Sequence, residues 1–210
     1  MQHMQQELKK SEFIPTAFEQ KIGGNGNCQP YTLRDGAILC KGKIDRVDIC
    51  NTSSQLLMRV IDYKTGKKFL SPEKLADGLD MQMLIYLFAL EQQNAFGGAS
   101  PAGVLYLPSG QPAGNDYDSR EKGSRSRDEI LQDYYQMKGL LVDSTLPYMQ
   151  HEISSPASVM KHTQKDILFS MTEKQLGSLR HHVEKKLCRR GIDERWSLLS
   201  YAFRNHPFSE

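Results

Sequence analysis

The sequence predicts an α/β fold built on a mixed sheet, because strand patterns and a helix pattern alternate in its first half. A hairpin signal opens this region and a long β-branched run follows it. An amphipathic helix then separates that run from a further strand. Strands, a helix and another strand form a mixed α/β core. The 210 residues are enough for one or two domains with a core of their own.

The strands are predicted from the turn residues between them. Asp35-Gly36 is a strong hairpin signal, flanked by strand-like runs at 31–34 and 37–40. The second strand of the hairpin is predicted to continue through 43–50. After a polar turn, Leu56–Lys64 is rich in β-branched and aromatic residues and predicts the next strand.

A helix is predicted over 78–93, followed by a strand over 102–108. Gly97 and Gly98 interrupt the pattern between them. Helical spacing places five apolar residues of the helix on one face, which we expect to pack in the core. They are Leu79, Met83, Tyr86, Leu87 and Leu90.

A second helix is predicted to start near Ser170, because Ser170 and Glu173 have the spacing of a capping box. Its apolar stripe consists of Leu176, Leu179, Val183 and Leu187. Its other surface is basic and carries Arg180, His181, His182, Lys185, Lys186, Arg189 and Arg190. A solvated helix face and a phosphate-binding surface both explain that charge.

These elements divide the chain into four parts. Residues 1–30 form a polar N-terminal segment, and 31–108 form the core that carries a candidate metal site. The stretch 109–127 is rich in Gly, Ser and charged residues without apolar periodicity, so we expect a mobile loop. Residues 128–210 are expected to complete the same domain with the basic helix.

Composition excludes several classes of protein. No apolar run reaches the ~18–20 residues that span a bilayer, and the first residues contain no signal peptide, so no membrane partner is expected. The net charge of +2 is too small to indicate nucleic-acid binding by itself. Cys28, Cys40, Cys50 and Cys188 form no C-x-x-C pair and are expected to be free thiols of a cytoplasmic protein.

Two carboxylates and a lysine form the candidate catalytic site. Asp62 and Lys64 lie two apart on a predicted strand and therefore share a face. If the strands pair as predicted, Asp45 converges with Asp62, and two carboxylates suit a hard cation such as Mg²⁺. An exposed surface ion pair is the alternative explanation for Asp62 and Lys64. Asp48 points to the other face from Asp45 and is expected to be structural, paired with Arg46.

The predicted helix adds Gln82 and Tyr86 to this site. They lie four residues apart, so their polar ends share one helix face. Core packing would also explain Tyr86, and ordinary surface polarity would also explain Gln82.

Three motifs together resemble those of RecB-like nucleases in the PD-(D/E)XK superfamily. They are G-K-I-D-R-V-D at 42–48, V-I-D-Y-K-T-G-K-K at 60–68 and Q-M-L-I-Y at 82–86. More narrowly, the chain resembles the C-terminal nuclease domain of the B subunit of bacterial AddAB helicase–nucleases. The resemblance covers about 18–187 and is strong over 41–108. It implies a restriction-endonuclease-like fold, in which helices flank a mixed central sheet.

The resemblance also implies metal-dependent hydrolysis of DNA. Asp45, Asp62 and the backbone carbonyl of Tyr63 would bind Mg²⁺ or Mn²⁺, and Lys64 would orient or activate the attacking water. Residues at the positions of Gln82 and Tyr86 would contact DNA or brace the site. Family members process double-strand breaks in recombinational repair. The implied partners are DNA and an AddA-like helicase–nuclease subunit.

The chain departs from the family pattern in two respects. A histidine or acidic residue normally lies on a helix upstream of the G-x-x-D strand, whereas here His3 lies in an unpatterned segment and Glu19 is expected at the start of a strand. The B subunits also carry a four-cysteine iron–sulfur cluster, which we do not expect in this chain. Cys40 and Cys50 lie on one predicted strand and would be roughly 30 Å apart.

These departures keep three function classes open. A metal-dependent nuclease domain, as a fragment of a larger helicase–nuclease subunit, is favoured because Asp45, Asp62 and Lys64 are all present. A catalytically inactive DNA-binding module on the same fold is the second class, supported by the missing upstream residue. A docking domain that binds neither metal nor DNA is the third.

Overall fold

A mixed six-stranded sheet forms the centre of the protein. The computed structural model describes residues 11–24, 28–33, 38–65, 70–110, 131, 134–135, 137–149 and 168–193. The strands are β1 (Ile14–Ile22), β2 (Tyr31–Leu33), β3 (Ile38–Cys40), β4 (Gly42–Asn51), β5 (Leu56–Lys64), β6 (Ser100–Pro108), β7 (Lys138–Val142) and β8 (Leu168–Met171). The large sheet has the order β1-β4-β5-β6-β7-β8, and β2 and β3 form a separate two-stranded sheet.

Helices connect and cover these strands. They are α1 (Pro72–Ala76), α2 (Gln82–Gln92), the short α3 (Ala95–Gly98), α4 (Leu146–Met149) and α5 (Glu173–Asp193), with a 3₁₀ turn at Asp143–Thr145. The connection through α2 makes β5 and β6 parallel, and β7 and β8 are also parallel, whereas the other neighbours are antiparallel. A mixed sheet flanked by helices is the fold class that the sequence predicted. Within the described ranges, no helix is long and apolar enough to cross a membrane.

Apolar side chains fill both faces of the large sheet. One face, with α2, α5 and the β2–β3 hairpin, encloses the main core, which includes Val60, Leu87 and Val183. The other face carries a second core that contains Phe13 and Ile61. The alternation along β5 explains this division, because successive side chains of a strand point to opposite faces.

The predicted strand through 37–50 is wrong, because it is two strands in two sheets. β3 ends at Cys40 and pairs with β2 in the small sheet, whereas β4 begins at Gly42 and pairs with β1 and β5. The pairing of Tyr31 with Cys40 bears out the hairpin itself. A continuous strand would carry β3 along the large sheet, whereas the break at Lys41 lets the hairpin fold back onto the main core.

Three other boundaries differ from the predictions. The helix predicted over 78–93 is α2, which begins at Gln82 rather than at 78, since Gly78 and Asp80 have φ of 79° and 53°. Ser170 lies in β8 instead of starting a helix. Residues 14–22 of the polar N-terminal segment form β1, which pairs with β4 as an edge strand of the sheet. Of the predicted loop at 109–127, only Ser109 and Gly110 belong to the described residues.

The buried charges of the second core confirm the structural role expected of Asp48. Its carboxylate accepts from Arg46 Nε at 2.6 Å and Arg46 Nη2 at 2.7 Å. The neighbouring strand adds Arg59, whose Nε lies 2.9 Å from Asp48 Oδ2. Arg59 also stacks on the Phe13 ring, 4.7 Å from its centroid. This cluster joins β4 to β5 on the face opposite the candidate site.

Candidate active site

The candidate site lies where β4 and β5 separate, a place we call the β4–β5 fork. The two strands pair from Asn51 and Leu56 to Arg46 and Ile61. Beyond that point β4 continues beside β1, and β5 continues beside β6. Asp45 Oδ2 accepts a hydrogen bond of 2.9 Å from the backbone N–H of Tyr63. A side chain of β4 therefore satisfies a backbone donor of β5 in place of the missing strand pairing.

Asp62 and Lys64 project from β5 beside this opening. They share the face of Met58 and Val60, which pack in the main core. The Lys64 Nζ lies 2.6 Å from Asp62 Oδ2, and the side chains are 29% and 11% exposed. An exposed surface pair was the alternative explanation for these residues. The low exposure of Asp62 contradicts that alternative and leaves a sheltered ion pair beside Asp45.

Gln82 and Tyr86 meet at the start of α2, over the same opening. Gln82 Nε2 donates to Tyr86 Oη at 2.8 Å. The Lys43 backbone acts on the same oxygen and favours its charged form.

The charges of both carboxylates act on the Tyr86 hydroxyl. Burial is the main cause that raises the pKa of Tyr86, and the negative charges of Asp62 and Asp45 raise it further. The hydrogen bonds from Gln82 and from the Lys43 backbone lower the same pKa. The net direction is upward, so the phenol stays protonated at neutral pH and keeps its hydrogen as a donor.

Two neighbours of the site were missed by the sequence analysis. Tyr106 on β6 is buried and lies directly opposite Asp62 in the β5–β6 register. Burial raises the pKa of Tyr106, and the charges of Asp62 and Asp80 raise it further. Asp80 lies 3.6 Å from Lys74 across an ion pair. The parallel pairing of β5 with β6 creates this arrangement, and no local spacing in the sequence signals it.

Glu19 was expected at the start of a strand, and this is wrong because it lies inside β1. Its carboxylate contacts the Nζ of Lys43 on β4. The hydrogen bond with Glu19 is the main cause that raises the pKa of Lys43, and the Asp45 charge adds to it. The Glu19 backbone has φ of 53°, a left-handed conformation that costs roughly 1–2 kcal/mol. An exposed ion pair stabilises a protein by about 0–1 kcal/mol, which is less than this backbone cost.

The donor set of the site fits a hard divalent cation. Mg²⁺ is usually held by one or two carboxylates and keeps several waters. Asp45, Asp62 and the Tyr63 carbonyl supply oxygen donors of this kind. Among the described residues, no group of three or more His, Cys, Asp and Glu side chains is arranged to hold a metal. The site is therefore expected to leave part of the coordination shell to water and substrate.

The cysteines do not gather at one place. Cys40 and Cys50, expected on one strand, lie in different sheets, and Cys50 packs in the second core. Cys40 packs in the main core, where Cys28 and Cys188 contact the same cluster. Burial, followed by the neighbouring Cys188 thiol, raises the pKa of Cys40 to about 11. The sheet thus separates Cys50 from the other three.

Comparison with known families agrees with this fold and this arrangement of motifs. The family model of the PD-(D/E)XK nuclease superfamily matches residues 1–195. The match includes β4 and β5, the whole of α2 and the whole of α5. The chain belongs to the PD-(D/E)XK nuclease superfamily.

Curated relatives are named as the B subunit of an ATP-dependent helicase/deoxyribonuclease. The protein from Caldanaerobacter subterraneus is 30% identical over 85% of this chain, and that from Bacillus subtilis is 30% identical over 96%. The Exiguobacterium sibiricum protein is 36% identical over 66% of the chain. The aligned parts span 16%, 19% and 12% of these relatives. The chain therefore spans less than a fifth of the length of each of them.

Proposed function

We propose that this chain hydrolyses DNA phosphodiester bonds with a divalent metal ion at the β4–β5 fork. The observation that carries the proposal is the geometry of the fork, where Asp45 binds the Tyr63 N–H and Asp62 pairs with Lys64. Asp45, Asp62 and the Tyr63 carbonyl would hold Mg²⁺ or Mn²⁺. A bound cation would supply charge neutralisation at the phosphate and lower the pKa of a coordinated water.

The protein residues have separate roles in this proposal. Lys64 orients the attacking water and places positive charge beside the phosphate, where negative charge increases during hydrolysis. Tyr86 packs against Gly42 at the start of β4, and its hydroxyl would offer its hydrogen to the substrate or to the carboxylates. Gln82 keeps the Tyr86 hydroxyl in that orientation. In this arrangement the two helix residues brace the site from α2.

The relatives support finer parts of the proposal. Their name combines a helicase with a deoxyribonuclease and identifies a B subunit. We infer that the substrate is DNA, that a helicase–nuclease subunit is the partner, and that the reaction is Mg²⁺-dependent exonuclease action. Its place would be double-strand-break processing and recombinational repair in the bacterial cytoplasm.

A second candidate function is a DNA-binding or docking module without catalysis. The observation in its favour is that no larger set of metal-ligating side chains surrounds Asp45 and Asp62 within the described part of the chain. Such a module would bind DNA without a divalent cation, or bind neither. Titration with Mg²⁺ separates it from the nuclease, because only the nuclease needs the cation.

The decisive variant is Asp62→Ala, compared with Asp143→Ala as a matched control. Asp143 is an exposed carboxylate on the 3₁₀ turn, outside the fork. We expect Asp62→Ala to abolish Mg²⁺-dependent cleavage of labelled DNA and to weaken Mg²⁺ binding in calorimetry, whereas Asp143→Ala changes neither. Unchanged Mg²⁺ binding in Asp62→Ala would contradict the ligand assignment.

Lys64→Ala and Tyr86→Phe distinguish the remaining roles. Because Lys64 is not a ligand, its loss should reduce turnover more than Mg²⁺ affinity. Tyr86→Phe keeps the ring and removes only the hydroxyl, so it should slow cleavage without loss of the fold. If Tyr86→Phe cleaves as fast as the unchanged protein, Tyr86 contributes packing alone.

A further inference from the structure

Lys43 lies beside the proposed metal site without being part of it. Its backbone acts on the Tyr86 hydroxyl, and strand alternation places its side chain on the same side of β4 as Asp45, two residues along the strand. The Asp45 carboxylate is near enough to stabilise the Lys43 charge. Because 48% of the side chain is exposed, its ammonium group is accessible from solvent next to the carboxylates.

The pairing of Lys43 with Glu19 is poorly explained by stability. Both side chains are largely exposed, at 48% and 64%, and exposed ion pairs contribute little. Glu19 reaches Lys43 from a left-handed backbone conformation, which is unfavourable for a residue with a side chain. Residues in such conformations concentrate at functional sites. A functional role is therefore the better explanation of the pair.

A polyanionic substrate requires positive charge at this position. The carboxylates of Asp45 and Asp62 repel a phosphate backbone, and Lys64 is engaged with Asp62 at 2.6 Å. The Asp45 charge acts on the Lys43 ammonium group, and its partner Glu19 is the more exposed member of the pair. A phosphate that replaced Glu19 would exchange one anion for another at the same ammonium group.

We propose that Lys43 binds a backbone phosphate of the DNA substrate, and that Glu19 occupies this ammonium group until the phosphate displaces it. The inference rests on the proposed nuclease function and adds a substrate contact next to the metal ligands. Glu19 is then a competitor of the substrate, and its effect on DNA binding acts through Lys43.

Salt-dependent binding tests this contact without relying on cleavage. The probes are a fluorescein-labelled single strand and its duplex, measured by anisotropy at a fixed Ca²⁺ concentration over a series of salt concentrations. A lost phosphate contact reduces the slope of log K against log salt by about 0.7 for single strands and about 0.9 for duplex. We expect Lys43→Gln to show this reduction and Lys43→Arg to restore the unchanged slope.

Glu19→Gln and the double variant test the competition. If Glu19 competes for the ammonium group, Glu19→Gln tightens DNA binding several-fold at low salt. The double variant should then bind like Lys43→Gln alone, because Glu19 has no effect without Lys43. Lys174→Gln is the matched control, since Lys174 is an exposed lysine at the start of α5. We expect it to leave the slope unchanged.

The possible outcomes separate this contact from the proposed function. An unchanged slope in Lys43→Gln overturns the contact, and weaker binding by Glu19→Gln overturns the competition. If the unchanged chain fails to cleave DNA with Mg²⁺ but shows the expected slopes, the contact stands and the nuclease function falls. An unchanged chain without salt-dependent DNA binding overturns both.

Discussion

At the scale of single residues, Gly42 controls how closely α2 approaches β4. A Cβ at Gly42 would overlap the hydroxyl oxygen and two ring carbons of Tyr86. Gly42→Ala should therefore displace the Tyr86 ring and its hydroxyl from the start of β4. Overpacking of this kind costs about 1–3 kcal/mol. Urea unfolding measures this loss, and the rate of Mg²⁺-dependent cleavage should fall with it.

Gly177→Ala is the matched control for this variant. Gly177 lies in α5, and a Cβ there would meet no other atom within 4 Å. The substitution should stabilise the protein by up to about 1 kcal/mol, because alanine has a higher helix propensity than glycine. Equal stability changes in the two variants would show that Tyr86 does not determine the effect at Gly42.

Cys40 should make the stability of the protein depend on alkaline pH. Its pKa is raised from an ordinary 9.0 to about 11, so the folded state keeps the thiol proton where the unfolded chain loses it. The free energy of unfolding should consequently fall as pH rises from 9 to 11. Cys40→Ala removes this contribution and should flatten the dependence in chemical unfolding series. An equally steep fall in the variant would contradict the assignment to Cys40.

The sequence predicts well those contacts of the candidate site that join residues close together in the chain. The two-residue interval between Asp62 and Lys64 and the four-residue interval between Gln82 and Tyr86 each bring side chains together, as the structure shows. Tyr106 was not predicted, because its place opposite Asp62 depends on strand pairing across the α2 connection. Such long-range pairing leaves no periodic signal in the chain.

At the scale of elements, the start of α5 shows how a correct motif was assigned to the wrong residues. The predicted capping box began at Ser170, which lies in β8. In the structure Thr172 Oγ1 accepts from the Gln175 N–H at 3.2 Å, and Gln175 Oε1 accepts from the Thr172 N–H at 2.9 Å. The same spacing two residues later therefore makes the reciprocal bonds. The capping boxes that begin at Ser170 and at Thr172 have the same spacing and overlap. The sequence cannot distinguish them unless the end of β8 is known.

Thr172→Ala should destabilise the protein by about 1 kcal/mol, because it removes one of these two capping bonds. Ser170→Ala is the control, since Ser170 is exposed on β8. Thermal or urea unfolding of the two variants measures the difference. A larger loss in Ser170→Ala than in Thr172→Ala would favour the capping box first predicted from the sequence.

At the scale of the whole molecule, the two faces of the sheet have different roles. One face carries α2 and the fork, where Asp45 takes over a backbone bond that strand pairing would otherwise make. The opposite face holds β4 against β5 through buried charges. The composition and alternation of the strands predict a sheet with two buried faces. The point at which β4 separates from β5 depends on how α2 and β1 pack. Local sequence patterns do not specify that packing.

The buried cluster of Asp48 with Arg46 and Arg59 allows a test of whether the two faces of the sheet act independently. All three side chains are almost completely buried, and Asp48 is the carboxylate to which both arginines bind. Asp48→Asn keeps the shape and removes the charge that both buried arginines contact. Breaking a buried ion pair in this way costs about 3–5 kcal/mol.

We therefore expect a large fall in the urea midpoint of Asp48→Asn. Mg²⁺ affinity should be preserved wherever the variant is folded, because the cluster lies across the sheet from the fork. The triple variant Arg46→Met, Asp48→Leu and Arg59→Met removes all three charges and should regain most of the lost stability, since apolar replacements of buried ion pairs are often neutral. A loss of Mg²⁺ affinity in folded Asp48→Asn would show that the two faces of the sheet are coupled. A midpoint equal to that of the unchanged protein would show that β4 and β5 are held by their backbone pairing and apolar packing without the charged cluster.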